Sequence, residues 1–101
     1  MSFLMVRIQV KPEKAAQFNE SMGKMAPVLE RLGWKLVGAY GTKFGRLGQC
    51  WDIWEIPNVD GFDSVLGAAV QDAQFAEESA RIRECIEEED HMIMEKLPYS
   101  H

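Results

Sequence analysis

The hydrophobic positions of this chain follow two periods, and the periods predict its elements. Over residues 3–10 every second side chain is aliphatic, which predicts a strand with one purely apolar face. The other face of this strand carries Phe3, Met5, Arg7 and Gln9. From Pro12, apolar residues recur at steps of three and four as far as Leu32, which predicts an amphipathic helix that Gly33 ends. Pro27 lies within this helix and should kink it.

The middle of the chain predicts a β-hairpin. Residues 34–43 and 49–56 are rich in aromatic and β-branched side chains, and the segment between them contains Gly45 and Gly48. Pro57 should end the second strand, because proline cannot donate to a strand ladder.

The last part of the chain predicts two helices and a strand. A short helix starts near Asp60, and Asp72 can cap the next one. The acidic residues 87–90 are expected to form a solvated helix end or loop, and residues 91–97 the last strand. The order is therefore β-α-β-β-α-β, the ferredoxin-like α+β arrangement with an antiparallel four-stranded sheet, in a single domain over residues 1–101.

Helices on one face leave the other face of such a sheet bare. We expect that face to carry Tyr40 and, from the following strand, Cys50, Asp52, Trp54 and Ile56. The alternative register puts Trp51 and Ile53 there, but Asp52 would then face the helices and need a buried partner. An apolar sheet face of this size is too large to leave in water. We therefore predict a homodimer in which two sheet faces meet and enclose a cavity, a dimeric α+β barrel.

Composition and charge exclude several classes of function. The net charge of −5 disfavours nucleic acid and anionic membranes as partners. Cys50 and Cys85 stand in no metal-binding or redox spacing and are expected to be reduced thiols. No signal peptide or membrane-spanning stretch is recognisable, so a cytoplasmic location is expected. No motif for a metal or a cofactor is present, and none is predicted.

The hairpin and the flanking segments resemble the NIPSNAP family. The motif runs Gly38-x-x-x-Thr42-x-Phe44-Gly45-x-Leu47-x-Gln49, followed by Ile53-Trp54-Glu55. Asp72-Ala73-Gln74-Phe75 and the closing Leu97-Pro98-Tyr99-Ser100 continue the resemblance, which covers essentially the whole chain. It implies a dimeric α+β barrel, whose wider relatives include cofactor-free monooxygenases, lactone isomerases and haem-handling enzymes.

The chain departs from that family pattern at two places. Members often carry a histidine two residues before the tryptophan, where this chain has Asp52. Arginines common in the helix after the hairpin are replaced by Phe62, Val65 and Leu66. A role of the family histidine therefore cannot be transferred to this chain.

Five residues are candidates for a site. Asp52, desolvated on a cavity-facing strand, would have a raised pKa and could act as a general base; alternatively it pairs with Arg7 and is structural. Arg7 could bind an anionic ligand, or pair with Asp52 or Glu95. Tyr40 and Trp54 could form flat walls of a ligand site or simply pack in a dimer core.

His91 depends on the register of the last strand. It faces the lumen if Ile93 and Glu95 turn inward, whereas the opposite register puts Met92, Met94 and Lys96 there.

The sequence leaves two functions open. One is a cofactor-free enzyme, of the monooxygenase or isomerase type, that acts on a small apolar or aromatic molecule in the barrel. The other is a binding or accessory dimer without turnover.

Overall fold

The computed structural model describes residues 2–100 and contains four strands and three helices within that range. In chain order these are β1 (Ser2–Val10), α1 (Ala15–Arg31), β2 (Lys35–Gly41), β3 (Gln49–Ile56), α2 (Val59–Ala69), α3 (Ala73–Cys85) and β4 (Ile86–Met94). A short 3₁₀ turn, Pro12–Lys14, precedes α1. The predicted β-α-β-β-α-β order, with the second helical region divided in two, is confirmed.

The four strands form one antiparallel sheet in the order β2-β3-β1-β4. The predicted apolar face of β1 is confirmed, because Leu4, Val6, Ile8 and Val10 are all less than a tenth exposed. These side chains form the base of the core, against which the helices pack. In the part of the chain that the structure describes, no helix combines the length and the apolar character needed to cross a bilayer.

Helix α1 buries the stripe that its periodicity predicts. Phe18 and Leu29 are almost fully buried, and Met22 and Met25 pack against the same core. Gly33 follows the helix with a φ of +119°, a conformation that glycine adopts without steric penalty. The backbone N–H of Trp34 then donates to the carbonyl of Leu29 at 3.1 Å and closes the helix end.

Side chains cap both later helices. Asn58 accepts a hydrogen bond from the backbone N–H of Gly61 at 2.7 Å, at the start of α2. Asp72 accepts one from the N–H of Phe75 at 3.0 Å, which confirms its predicted role at the start of α3. Each such oxygen satisfies one of the free N–H groups of a first helical turn.

The acidic run was predicted incorrectly, since it forms part of a strand and not a helix end or loop. Helix α3 ends at Cys85, and β4 begins at Ile86 and pairs with β1. Arg7 on β1 donates to Asp90 and, at 3.1 Å, to Glu88 on the neighbouring strand. These partners also correct the expected pairing of Arg7 with Asp52 or Glu95. Cross-strand charge pairing lets a strongly acidic segment form an edge strand.

Two glycines provide a matched test of this geometry. Gly48 has a φ of +83°, and a Cβ there would lie 2.3 Å from the carbonyl oxygen of Val10. Gly48→Ala should therefore lower the free energy of unfolding by about 1–3 kcal/mol. A Cβ on Gly67, within α2, would meet nothing within 4 Å, so Gly67→Ala should raise that free energy by about 0.5–1 kcal/mol. Urea unfolding of both variants measures the two changes, and equal effects would contradict the assigned backbone.

Candidate ligand cavity between the sheet and the helices

The register of β3 decides which of its side chains face the helices. Asp52 pairs with Val6, and Trp54 with Leu4, so both point to the helix side. The predicted register, with Cys50, Asp52, Trp54 and Ile56 on the bare face, is therefore wrong, and the alternative with Trp51 and Ile53 there is right. The rings of Trp54 and Trp34 lie 5.8 Å apart, and Trp34 stacks on Phe62 at 5.7 Å. This aromatic packing holds Trp54 inside one subunit, where it is only 2% exposed.

Two adjoining cavities lie between the sheet and the helices. The larger has a volume of about 450 Å³ and lies between α1 and the hairpin strands. The smaller, about 180 Å³, reaches the side chains of all three helices. Met22 and Asp52 line both. A cavity was expected on the open side of the sheet, but these two lie on the helix side, because β3 turns the face with Asp52 and Trp54 toward the helices.

Asp52 is the central polar group of these cavities. It is 5% exposed, and no residue between 2 and 100 donates a hydrogen bond to its carboxylate. Burial and, to a smaller extent, the nearby charge of Glu89 together raise the pKa of Asp52 to about 6. The alternative register required a buried partner for this carboxylate, and the described chain provides none. The result is a desolvated carboxyl group that titrates near neutral pH.

His91 lies at the rim of the smaller cavity. His91, on β4, pairs with Val6 on β1, and Val6 also pairs with Asp52 on β3. The three residues therefore form one row across the sheet, on its helix side. Two strand spacings separate the outer members, about 10 Å between Cα atoms. His91 Nε2 lies 3.1 Å from Glu89 Oε2, and this contact raises the pKa of His91 although burial opposes it. Of the two registers left open by the sequence, the one with Met92 and Met94 on the open face is therefore right, and His91 faces the helices.

Arg7 and Tyr40 are not part of this arrangement. Arg7 lies on the open face, paired with the β4 carboxylates. Tyr40 pairs with Trp51 and lies across Gly38, where an added Cβ would be 2.6 Å from the tyrosine hydroxyl. Tyr40 borders the larger cavity, but 61% of the surface of this residue is exposed. The structure therefore brings together Asp52, Trp54 and His91, leaves Tyr40 at the border of the larger cavity, and places Arg7 outside both cavities.

Several lining residues were not identified as site residues from the sequence. Met22 belongs to the α1 stripe and was expected only to pack in the core. Cys50, like Trp54, is two residues from Asp52 and therefore lies on the same face of β3. This spacing identifies Cys50 as a lining residue once the register is known. Burial, assisted by the charge of Asp52, raises the pKa of the Cys50 thiol, so it is protonated at neutral pH and a weak nucleophile.

The coupling between Cys50 and Asp52 can be measured with iodoacetamide. Asp52→Asn removes the negative charge that opposes thiolate formation, so alkylation of Cys50 at pH 7.5 should become severalfold faster. Cys85 is fully buried and should remain unreactive in the folded protein. Asp63→Asn, on the exposed surface of α2, is the control. An unchanged rate in Asp52→Asn would show that the two side chains do not interact.

An antiparallel four-stranded sheet with three helices on one face, and a cavity between the two layers, defines the ferredoxin-like class of α+β proteins. The chain belongs to the NIPSNAP family, whose family model matches residues 3–101. The resemblance seen in the sequence is thereby confirmed. No significant match was found among curated proteins.

Solved structures show the same fold. An uncharacterised NIPSNAP domain protein from Burkholderia xenovorans superposes with a TM-score of 0.88 at 14% identity, over 100% of this chain and 99% of that one. A NIPSNAP family protein with unknown function from Agrobacterium tumefaciens gives 0.88 at 17% identity, over 99% and 91% of the two chains. A protein from Nitrosomonas europaea, provisionally named an antibiotic biosynthesis monooxygenase, gives 0.74 at 12% identity, over 96% and 99%. At these identities the likeness shows the fold alone.

Proposed function

We propose that the protein binds a small, largely apolar or aromatic molecule between its sheet and helices and transfers a proton through Asp52, without a cofactor. The observation that carries this proposal is a buried carboxylate with no partner in the described chain, placed where two cavities adjoin. A volume of about 450 Å³ lies within the usual range of ligand sites. Apolar and flat surfaces that such ligands contact are provided by Phe18 and Met22 in the larger cavity and by Trp34, Trp54 and Phe62 in the smaller one.

Asp52 has the properties of a general base. Because its pKa is raised to about 6, it is ionised at pH 7 yet holds a proton more strongly than an ordinary carboxylate. It can remove an acidic C–H or O–H proton of the bound molecule and become neutral. Return of that proton to another atom gives an isomerisation. Alternatively, dissolved O₂ as a co-substrate adds to the deprotonated carbon, and the proton from Asp52 completes a hydroperoxide. Loss of water from that hydroperoxide leaves a carbonyl group, so one oxygen atom enters the ligand, the other leaves as water, and the ligand supplies the electrons.

A fold neighbour supports the second of these outcomes, since the Nitrosomonas europaea protein bears a provisional monooxygenase name. The support is limited to the shared fold. Asp52 in this chain is the residue that any such reaction would depend on.

The experiment is a thermal-shift screen with small aromatic alcohols and ketones, followed by turnover assays of those that bind. Asp52→Asn should abolish turnover, with a loss of at least about a hundredfold, and leave ligand affinity largely intact. Asp63→Asn should retain full activity. Undiminished turnover in Asp52→Asn would remove this carboxylate from the reaction, and the absence of any ligand would contradict the cavity as a binding site.

One observation favours binding without turnover as the second candidate. In the larger cavity, Asp52 is the only charged side chain among the described lining residues, so no second charged group is available there to stabilise a developing anion. This candidate predicts a ligand that binds and is recovered chemically unchanged in the presence of air.

We further propose that a second copy of the chain covers the open face of the sheet. The centre of this face is apolar; its described members are Phe3, Met5, Tyr40, Trp51, Ile53, Met92 and Met94. Charges of both signs surround the centre, with Arg7 beside Asp90 and Lys35 opposite Glu55 across two strands. A face of mixed sign can meet itself across a two-fold axis without net repulsion. Trp51 lies on this face, where Trp54 was expected.

A further inference from the structure

The larger cavity has a one-sided distribution of charge. Its described lining comes from β1, α1, β2, β3 and the connection between the two hairpin strands, and ten of these residues are small or apolar, among them Phe18, Met22 and Leu36. The remaining lining residues are Asn19, Tyr40, Cys50 and Asp52. Asp52 alone is charged at neutral pH, and it is negative. A carboxylate with no donor, in a pocket lined by carbon, is poorly solvated.

The basic side chains near the site do not reach this cavity. Arg83 and His91 line only the smaller one, and both accompany Glu89 there. An anionic ligand in the larger cavity would therefore face Asp52 with no cation among the described lining residues to offset the repulsion. A ligand O–H or N–H would instead supply the hydrogen bond that Asp52 lacks, and charge-assisted hydrogen bonds of this kind are the strong ones.

We propose that the larger cavity selects its ligand by charge: it takes neutral or cationic molecules that present an O–H or N–H donor to Asp52, and it excludes anions. The selection rests on the proposed binding function and specifies the chemical class of its ligand. Phenols, alcohols and amines carried on an apolar body belong to that class. Carboxylates, sulfonates and phosphates of the same size do not.

Three probes with one ring system test this selection: 1-naphthylmethanol, 1-naphthylmethylamine and 1-naphthalenesulfonate. Binding to the full chain is measured at pH 8 by isothermal titration calorimetry. The alcohol and the amine should bind, and the sulfonate at least about tenfold more weakly than the alcohol. Asp52→Asn should reduce the ratio of the amine affinity to the sulfonate affinity at least about tenfold, and Asp63→Asn should leave this ratio unchanged.

The dependence on pH gives a second measurement on the unmodified protein. Lowering the pH from 8 to 5 should strengthen sulfonate binding, because Asp52 becomes neutral. Other titratable or charged groups that line the two cavities are Tyr40 on β2, Cys50 on β3, Glu89 and His91 on β4 and Arg83 on α3. Strand β1 presents Val6, helix α1 presents Asn19 and Met22, and helix α2 presents Phe62 and Leu66. Since His91 also gains charge on acidification, the contribution of Asp52 is the part of the change that Asp52→Asn removes.

The outcomes separate the two proposals. Equal affinity for all three probes, or tightest binding of the sulfonate, overturns selection by charge and leaves binding in the cavity intact. Failure of all three to bind, the neutral alcohol included, overturns the proposed function and the selection together. If the expected order of affinities persists unchanged in Asp52→Asn, the assignment of the selection to Asp52 is also overturned, since the discrimination would then come from another group.

Discussion

Asp52→Asn is expected to stabilise the folded protein at pH 8 by about 2–3 kcal/mol. Burial and the charge of Glu89 raise the pKa of Asp52 from 3.8 to about 6, so ionising this group works against the folded state. Each pKa unit corresponds to about 1.4 kcal/mol. Asparagine has nearly the same shape and carries no charge, and therefore removes this penalty. Urea unfolding of the two proteins at pH 8 measures the difference.

The sign of the effect gives it a characteristic pH dependence. Between about pH 4 and 6 the folded protein keeps a proton on Asp52 that the unfolded chain has released. The contribution of this group to the free energy of unfolding therefore falls as the pH rises through that window and is constant above it. The advantage of Asp52→Asn should be largest above pH 6 and disappear below pH 4.

Asp63→Asn, at an exposed position of α2, should change the free energy of unfolding by less than about 0.5 kcal/mol, both at pH 8 and below pH 4. A loss of stability in Asp52→Asn at pH 8 would show that the carboxylate is held by favourable interactions. The proposed role of Asp52 as a desolvated base would then have no energetic basis. A gain of stability in Asp52→Asn would show that ionised Asp52 destabilises the folded protein, as is common for groups that a functional site needs.

Met5→Asp is expected to convert the proposed dimer to a monomer. Met5 lies at the centre of the open face, on one of the two central strands, between Ile53 and Met92. In a sheet-to-sheet dimer, a two-fold axis would bury two such carboxylates in an apolar interface. An unpaired buried charge costs several kcal/mol, so two should weaken association by at least about 4 kcal/mol, or about a thousandfold.

Sedimentation velocity over a range of micromolar concentrations provides the measurement. The unmodified chain should sediment at twice its 11.5 kDa mass, and Met5→Asp as the single chain. Val70→Asp is the matched control, since it makes the same kind of change at a residue that is 58% exposed beyond α2. A monomeric unmodified chain would refute the dimer. A dimeric Met5→Asp protein would place the interface on another surface.

Local patterns were sufficient where one set of positions was clearly more apolar than its alternate. The aliphatic residues of β1 and the stripe of α1 each allow one buried face, and both were predicted correctly. The turn and cap signals of Gly33 and Asp72 are also local, because each depends on hydrogen bonds within a few residues. The acidic run failed for the opposite reason. Nothing within residues 87–90 reveals that Arg7, about eighty positions earlier, lies on the adjacent strand to pair with them.

The candidate site was only partly accessible from the sequence. Asp52 was singled out correctly as a carboxylate in an apolar strand with a raised pKa, although its environment was placed on the wrong side of the sheet. Trp54 and His91 do accompany it, whereas Arg7 and Tyr40 lie on the opposite face. Met22 was not recognised, because a methionine in a helical stripe looks the same whether it fills a core or borders a cavity.

The sequence alone determined the order of the elements, the family and the apolar face of β1, since periodicity and short motifs are properties of neighbouring residues. Only the tertiary structure decided which face of β3 is buried. That strand carries a tryptophan and an isoleucine on each face, so its own pattern favours neither. Pairing with β1 and the packing of Trp54 against Trp34 settle the choice, and with it the side of the sheet on which Asp52 meets a cavity.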